Sequence, residues 1–142
     1  MTLLLIHAAA TLYMAGLIWF VQLVHYPLMA NVGEEGYRAY QQLHERKTTL
    51  AVAPAMFVEL GCAVFLAVRT PDAVEPWLAW TGLILVVLIW LSTALLQVPC
   101  HKKLGQGFDA EVHRRLVTTN WLRTAMWSAR GMIAMVMLGV SV

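Results

Sequence analysis

Charged residues are scarce in this sequence. Asp, Glu, Lys and Arg make up 13% of its 142 residues, whereas soluble domains carry about 25%. Hydrophobic residues make up 60%, and the mean hydropathy is +0.66. These values exclude an ordinary soluble domain and favour a single integral membrane domain over residues 1–142, with the lipid bilayer as its partner. The net charge of +2 is spread among interleaved acidic and basic residues, so it does not indicate a nucleic-acid partner.

Cysteine is nearly absent. Cys62 and Cys100 are the two cysteines, and no CxxC pair occurs, which argues against thiol–disulfide redox chemistry. They fall in different predicted helices at different depths, so no disulfide is expected. The first apolar run has no cationic segment before it and is longer than a signal-peptide core, which predicts a retained membrane span.

Four runs are long and apolar enough to be read as membrane-spanning helices, which need ~20 residues each. They cover about residues 3–29, 48–68, 75–98 and 115–140. The predicted fold is all-α, an integral membrane antiparallel four-helix bundle.

A short amphipathic surface helix is predicted over residues 32–47, between spans 1 and 2 and running into the second span, because acidic residues open this segment and basic residues close it. Pro27 is expected to end the first span and Pro99 to end or kink the third, because proline disfavours helix in the residue before it.

Lysine and arginine are unevenly distributed about the predicted spans. One side carries only Arg69, and the other carries Arg38, Arg46, Lys47, Lys102, Lys103, Arg114 and Arg115. Basic loops stay in the cytoplasm. The pattern therefore predicts a multi-pass protein of the cell inner (plasma) membrane with both termini on the outer side.

Three charges lie deep inside apolar runs: Glu59, Arg123 and Arg130. A charge at the bilayer centre costs at least ~2.5–3.5 kcal/mol, so these side chains should face the protein interior. Helical depth predicts that Glu59 pairs with Arg130. Such a pair can serve only to fix the helix register. However, one carboxylate cannot neutralise two guanidinium groups, so an anionic or phenolate ligand could complete the site.

Histidines and amides at helical spacing provide further polar groups. His25, His44 and His101 lie on the inward stripes at the cytoplasmic end, and we expect them to converge on one pocket. They could bind a transition metal, supply a heme ligand or act as a general base, and the site could equally lack a cofactor. The expected cofactor-binding residues are Gln22 and Gln97, which would orient the rings, with Glu59 and Arg130 below them. The expected catalytic residues are the three histidines together with Asn120 and Arg123. His113, in a charged connection, is predicted to be solvated.

The last third of the chain resembles a known family. Gln97-Val98-Pro99-Cys100-His101-Lys102-Lys103-Leu104, followed by Asn120-Trp121-Leu122-Arg123-Thr124, is similar to the anthrone-oxygenase-like family of small four-span membrane proteins. The resemblance implies oxygenation of a polycyclic phenol, or another lipophilic aromatic molecule, at an activated methylene carbon. One of the three histidines would be the base, and Arg123 with Asn120 would hold the oxyanion.

Two alternatives remain open. His7, His25-Tyr26-Pro27 and Pro54-Ala55-Met56 look like parts of the bacterial four-helix protoporphyrinogen oxidases, which bind heme. The chain could also be a non-catalytic accessory subunit of a larger membrane complex, or form a homo-oligomer. A subunit of this kind should show a patch of small residues for helix contact, and the spans contain no GxxxG motif.

Overall fold

The computed structural model describes all 142 residues, and helix is its only regular secondary structure. Its four long helices, in chain order, are α1 (Thr2–Met29), α2 (Glu34–Val68), α3 (Pro76–Leu104) and α4 (Ala110–Gly139). The predicted all-α class is confirmed.

Three of the helices, α1, α2 and α3, are long and apolar enough to cross a membrane. Large apolar side chains also cover the outer surface: Leu50 is 69% exposed and Leu95 is 68% exposed. Both observations indicate a membrane protein. The fourth helix is less apolar because Arg123 and Arg130 lie within it.

The amphipathic segment predicted over residues 32–47 continues into the second apolar run, as expected. It is the first part of α2, which runs without a break from Glu34 to Val68 and includes Pro54. No helix-breaking residue separates the amphipathic segment from the apolar one, so the two form one rod. The expected acidic first turn, Glu34 and Glu35, is present.

The first helix does not end at Pro27, where an end was expected, and the third does not end at Pro99, where an end or a kink was expected. A five-residue π-helical turn lies before each proline and is separated from it by one residue. These turns are Val21–His25 in α1 and Thr93–Gln97 in α3. A proline inside an α-helix lacks an N–H group and clashes with the carbonyl four residues before it, and a wider turn relieves this conflict. The helices therefore continue to Met29 and Leu104.

The four helices form a bundle in which α1 and α3 each pack against both α2 and α4. The apolar core is divided along the bundle into three clusters. The first joins Leu4 to Met137, so both ends of the chain lie together. The last contains Tyr26, Tyr37 and Leu116 at the opposite end. The buried polar residues lie among these clusters.

Candidate functional site

Glu59 and Arg130 form one of two polar groups in the bundle. Arg130 Nε lies 2.8 Å from Glu59 Oε1, which confirms the predicted ion pair. Trp127 Nε1 donates to the other carboxylate oxygen at 3.1 Å. The remaining Arg130 nitrogens contact the Gly82 carbonyl and, at 3.2 Å, His7 Nε2. Both charges thus have partners within the protein, and neither lines the cavity described next. Their expected role in binding a cofactor stays a prediction.

The second group surrounds a cavity of about 280 Å³ between α1, α2 and α3, to which α4 contributes Arg123. This volume is close to the lower end of the range of small-molecule sites, ~300–1,000 Å³. One part of the wall is apolar and includes Met14, Leu17, Ile18, Val21 and Val52. The other part is polar and includes Tyr26, His44, Thr48, Gln97, His101 and Arg123. The cavity also reaches exposed residues of α2 and α3, Thr49 and Lys102, so it has an edge at the protein surface.

The three predicted histidines lie together. His25 Nε2 is 2.8 Å from His44 Nδ1, and the two rings stack with centroids 4.5 Å apart. The centroids of His44 and His101 are 5.2 Å apart. The predicted convergence is confirmed, but only His44 and His101 line the cavity, and His25 reaches it through His44. Their chemical role stays a prediction.

Two residues that sequence reasoning missed hold His101. Gln41 Nε2 donates to His101 Nδ1 at 2.9 Å and also to Glu45 Oε1 at 3.1 Å. The Tyr26 hydroxyl lies 3.0 Å from His101 Nε2. Gln41 precedes His44 by three residues and so shares its helix face, a signal that could have identified it.

Gln22 and Gln97 do not orient the imidazoles, contrary to expectation. Gln22 accepts from Asn120 Nδ2 at 2.8 Å and donates to the Val117 carbonyl at 3.2 Å. Gln97 donates to Thr119 Oγ1 at 3.2 Å. Both amides face α4, so they tie α1 and α3 to that helix instead of reaching the rings. Gln97 still lines the cavity.

Arg123 is the unbalanced charge of the site. Its side chain is 7% exposed, and no carboxylate lies within salt-bridge distance. Its Nη1 donates to Asn120 Oδ1 at 3.3 Å, and its guanidinium carbon lies 5.1 Å from the Trp127 ring centroid. Its Nε has no hydrogen-bond partner. A buried cation without a counter-ion is unfavourable unless an acceptor reaches it, and Arg123 lines the cavity from which one could come.

The structure lends no support to the predicted metal site of His25, His44 and His101. No group of three or more His, Cys, Asp or Glu side chains is arranged to hold a metal ion. The physical reason is that the ring nitrogens face other partners. His25 and His44 point at each other, and both nitrogens of His101 are taken by Gln41 and Tyr26.

His113 is buried instead of solvated. Its Nε2 lies 2.8 Å from the carbonyl oxygen of Tyr26, close to the end of α1, where backbone carbonyls run out of helical partners. Because a carbonyl can only accept, this nitrogen must carry a hydrogen. His113 therefore fastens α4 to the segment that carries Tyr26.

Comparison of the chain with family models, curated proteins and solved structures found no match.

Proposed function

We propose that this chain is a membrane oxidoreductase of the oxygenase type and that the cavity is its active site. Its substrate would be a lipophilic aromatic molecule that carries an acidic hydroxyl or an enolisable ketone. The observation that carries the proposal is Arg123, a buried cation with no carboxylate partner that faces the cavity. The resemblance of residues 97–124 to the anthrone-oxygenase-like family supports the same substrate class.

The cavity walls suit such a reaction. The apolar wall accepts a flat hydrocarbon body, whereas Arg123 offers a positive charge to an oxygen that becomes negative. Asn120 positions Arg123 through the 3.3 Å contact and is itself held by Gln22. An imidazole on the same wall supplies the base. The overall change converts a methylene group and O₂ into a carbonyl group and water, so O₂ is the oxidant.

We also propose that the bundle crosses the inner membrane four times, antiparallel, with both termini outside. Although α4 is less apolar, it packs against both α1 and α3, and its two buried arginines face inward. Exposed apolar side chains on this helix, such as Met132 and Val136, support contact with lipid. The basic residues at the cavity end of the bundle favour a cytoplasmic position for that end.

The test uses the full chain purified in detergent, with 1,8-dihydroxy-9-anthrone as the probe. Oxygen uptake and the absorbance of the quinone product are followed together. The parent should catalyse both, and Arg123→Gln should lower kcat/KM about 100-fold, as removal of an oxyanion donor does in other enzymes. Arg114→Gln, an exposed neighbour on the same helix, is the matched control and should keep parental activity. Equal activity in the Arg123 variant would reject the assignment.

The absorption spectrum and metal content of the same preparation test the other cofactors. A Soret band would select the heme-binding alternative, and stoichiometric metal would select a metal site. A preparation that shows neither feature yet consumes oxygen with the probe would support the proposal as stated.

A further inference from the structure

The direction of one hydrogen-bond chain can be read from its ends. Glu45 Oε1 can only accept, so the amide group 3.1 Å from it must be the NH₂ of Gln41. The same NH₂ lies 2.9 Å from His101 Nδ1, which must therefore accept. A neutral His101 then carries its hydrogen on Nε2 and donates it to the Tyr26 hydroxyl, 3.0 Å away.

Tyr26 is consequently a donor toward the cavity. Its oxygen already accepts from His101, so its own hydrogen is free for an acceptor elsewhere. Tyr26 lines the cavity, as does Arg123, which has donors only. Tyr26 and Arg123 thus form a donor pair, which requires an oxygen acceptor such as a carbonyl or an oxyanion.

His44 has the opposite character. Its Nδ1 faces His25 Nε2 at 2.8 Å, with the Thr48 hydroxyl 3.1 Å away. Its Nε2 makes no hydrogen bond within the protein, and the ring lines the cavity. When His44 donates Nδ1–H to His25, its Nε2 is left as a free base. His101 has no such free nitrogen.

We infer that His44 is the base of this cavity and that Tyr26 is a second oxyanion donor beside Arg123. Gln41 is a positioning residue, because it sets the tautomer of His101, and that tautomer keeps Tyr26 a hydrogen-bond donor toward the cavity. The inference rests on the proposed function and narrows the ligand to a ketone with an enolisable C–H group. His44 Nε2 takes the proton from that carbon. The C–H electron pair moves through the conjugated system to the ketone oxygen, which becomes an enolate held by Tyr26 and Arg123. This step needs no oxidant.

Because the step precedes any reaction with O₂, it can be measured without oxygen. Anthrone is incubated anaerobically in D₂O with the detergent-purified full chain, and deuterium uptake at its methylene carbon is followed by NMR. The parent should accelerate exchange above the rate of the detergent alone.

His44→Gln should lower this acceleration about 100-fold or more, in line with the contribution of a general base. Tyr26→Phe should lower it about 10-fold to 100-fold, as loss of a hydrogen bond to a charged oxygen does. His101→Gln should fall no further than Tyr26→Phe.

Gln41→Glu tests the positioning role. A glutamate there accepts a hydrogen bond from His101, so the proton should move to Nδ1 and Tyr26 should donate to His101 instead of to the ligand. In protein labelled with ¹⁵N-histidine, the NMR spectrum should show His101 Nδ1 unprotonated in the parent and protonated in the variant, together with slower exchange. Gln42→Glu, on the exposed neighbouring residue, is the matched control and should change neither.

The outcomes separate the two proposals. Parental exchange without oxygen uptake supports the base assignment and rejects the oxygenase. Oxygen uptake without exchange rejects the base assignment alone. Exchange that survives in His44→Gln but is lost in His101→Gln would overturn the assignment, as would a protonated His101 Nδ1 in the parent. If His44→Gln fails to fold, the tautomers in the parent spectrum still decide.

Discussion

Arg130 and Glu59 are joined by a 2.8 Å contact between Nε and Oε1, with relative side-chain exposures of 1% and 0%. Removing one partner would leave an uncompensated charge in the bundle core. Glu59→Gln is therefore expected to lower the free energy of unfolding by ~3–5 kcal/mol, seen as a lower apparent Tm in detergent. Glu35→Gln, at an exposed site in the first turn of the same helix, is the control and should lower the apparent Tm far less, because such a carboxylate contributes only about 0.3–1 kcal/mol. A Glu59 variant as stable as the parent would contradict the structural importance of the pair.

Substitution of Arg123 should have the opposite effect on stability. It has no carboxylate partner, so Arg123→Met removes a poorly compensated buried charge and replaces it with an apolar side chain of similar length. We expect an apparent Tm equal to or above that of the parent, together with loss of activity toward the anthrone probe. Arg130→Met is the matched comparison and should melt lower, because it leaves Glu59 unpaired. A large loss of stability in Arg123→Met would show that this arginine is mainly structural.

The contrast between these two arginines shows what could be predicted from the sequence. The rise per residue of a helix converts sequence number into depth, so the partnership of Glu59 with Arg130 could be predicted. The same reasoning brought the three histidines to one end of the bundle. The hydrogen-bond partners of His101, Gln41 and Tyr26, were missed because side-chain torsions decide which atoms meet, and sequence spacing does not fix them.

The expected helix ends at Pro27 and Pro99 are absent for a different reason. Proline in isolation disfavours a helix, but in the bundle each helix gains packing on both sides of its proline. A π-helical turn preserves that packing. The burial of His113 likewise depends on tertiary structure, because it needs the Tyr26 carbonyl of another helix. Local propensity contains no information about either contact.

Replacing either of two glycines by alanine should change the free energy of unfolding, in opposite directions, because their backbone conformations differ. Gly107 has φ +148°, a conformation that residues with a side chain rarely adopt. Gly107→Ala should therefore cost about 1–3 kcal/mol. Gly36 lies in α2, and an added methyl group there would meet nothing within 4 Å. Gly36→Ala should stabilise by about 0.4–1 kcal/mol, because it reduces the freedom of the unfolded chain. Apparent Tm measures both, and a shift of the same sign in the two variants would contradict this interpretation.

Asp109 should make the stability of the α4 start depend on pH. Its carboxylate accepts from the backbone N–H groups of Val112 and Glu111, and Lys103 Nζ lies 3.1 Å away. The hydrogen bond from Val112, followed by that from Lys103, lowers the pKa of Asp109 in the folded protein. Its stabilising contribution is therefore complete above the unfolded pKa of about 3.9 and is lost as the pH falls through the lower folded pKa.

The matched variant is Asp109→Asn, which can still cap the helix but does not titrate there. The difference in apparent Tm between parent and variant should be largest near neutral pH and shrink below about pH 4. Because the other acidic residues titrate in both proteins, their effects cancel in the difference. A difference that stays constant across this range would show that the charge of Asp109 does not stabilise the helix start.

The proposed orientation can be tested by labelling from outside the cell. Cys62 and Cys100 are both free and buried, so their replacement by alanine provides a background without accessible thiols. Lys103→Cys places a thiol beside the cavity end, where the Lys103 side chain is 62% exposed, and Asp72→Cys places one in the exposed α2–α3 turn. With the basic end in the cytoplasm, a membrane-impermeant maleimide should label residue 72 in intact cells and residue 103 only after lysis. Labelling of residue 103 in intact cells would reverse the orientation and put the exposed edge of the cavity on the outer side.

The number of spans can be tested with the same reagent. If only three helices crossed, the two chain ends would lie on opposite sides of the membrane. Thiols added at the two ends should therefore both react from outside only if α4 also crosses.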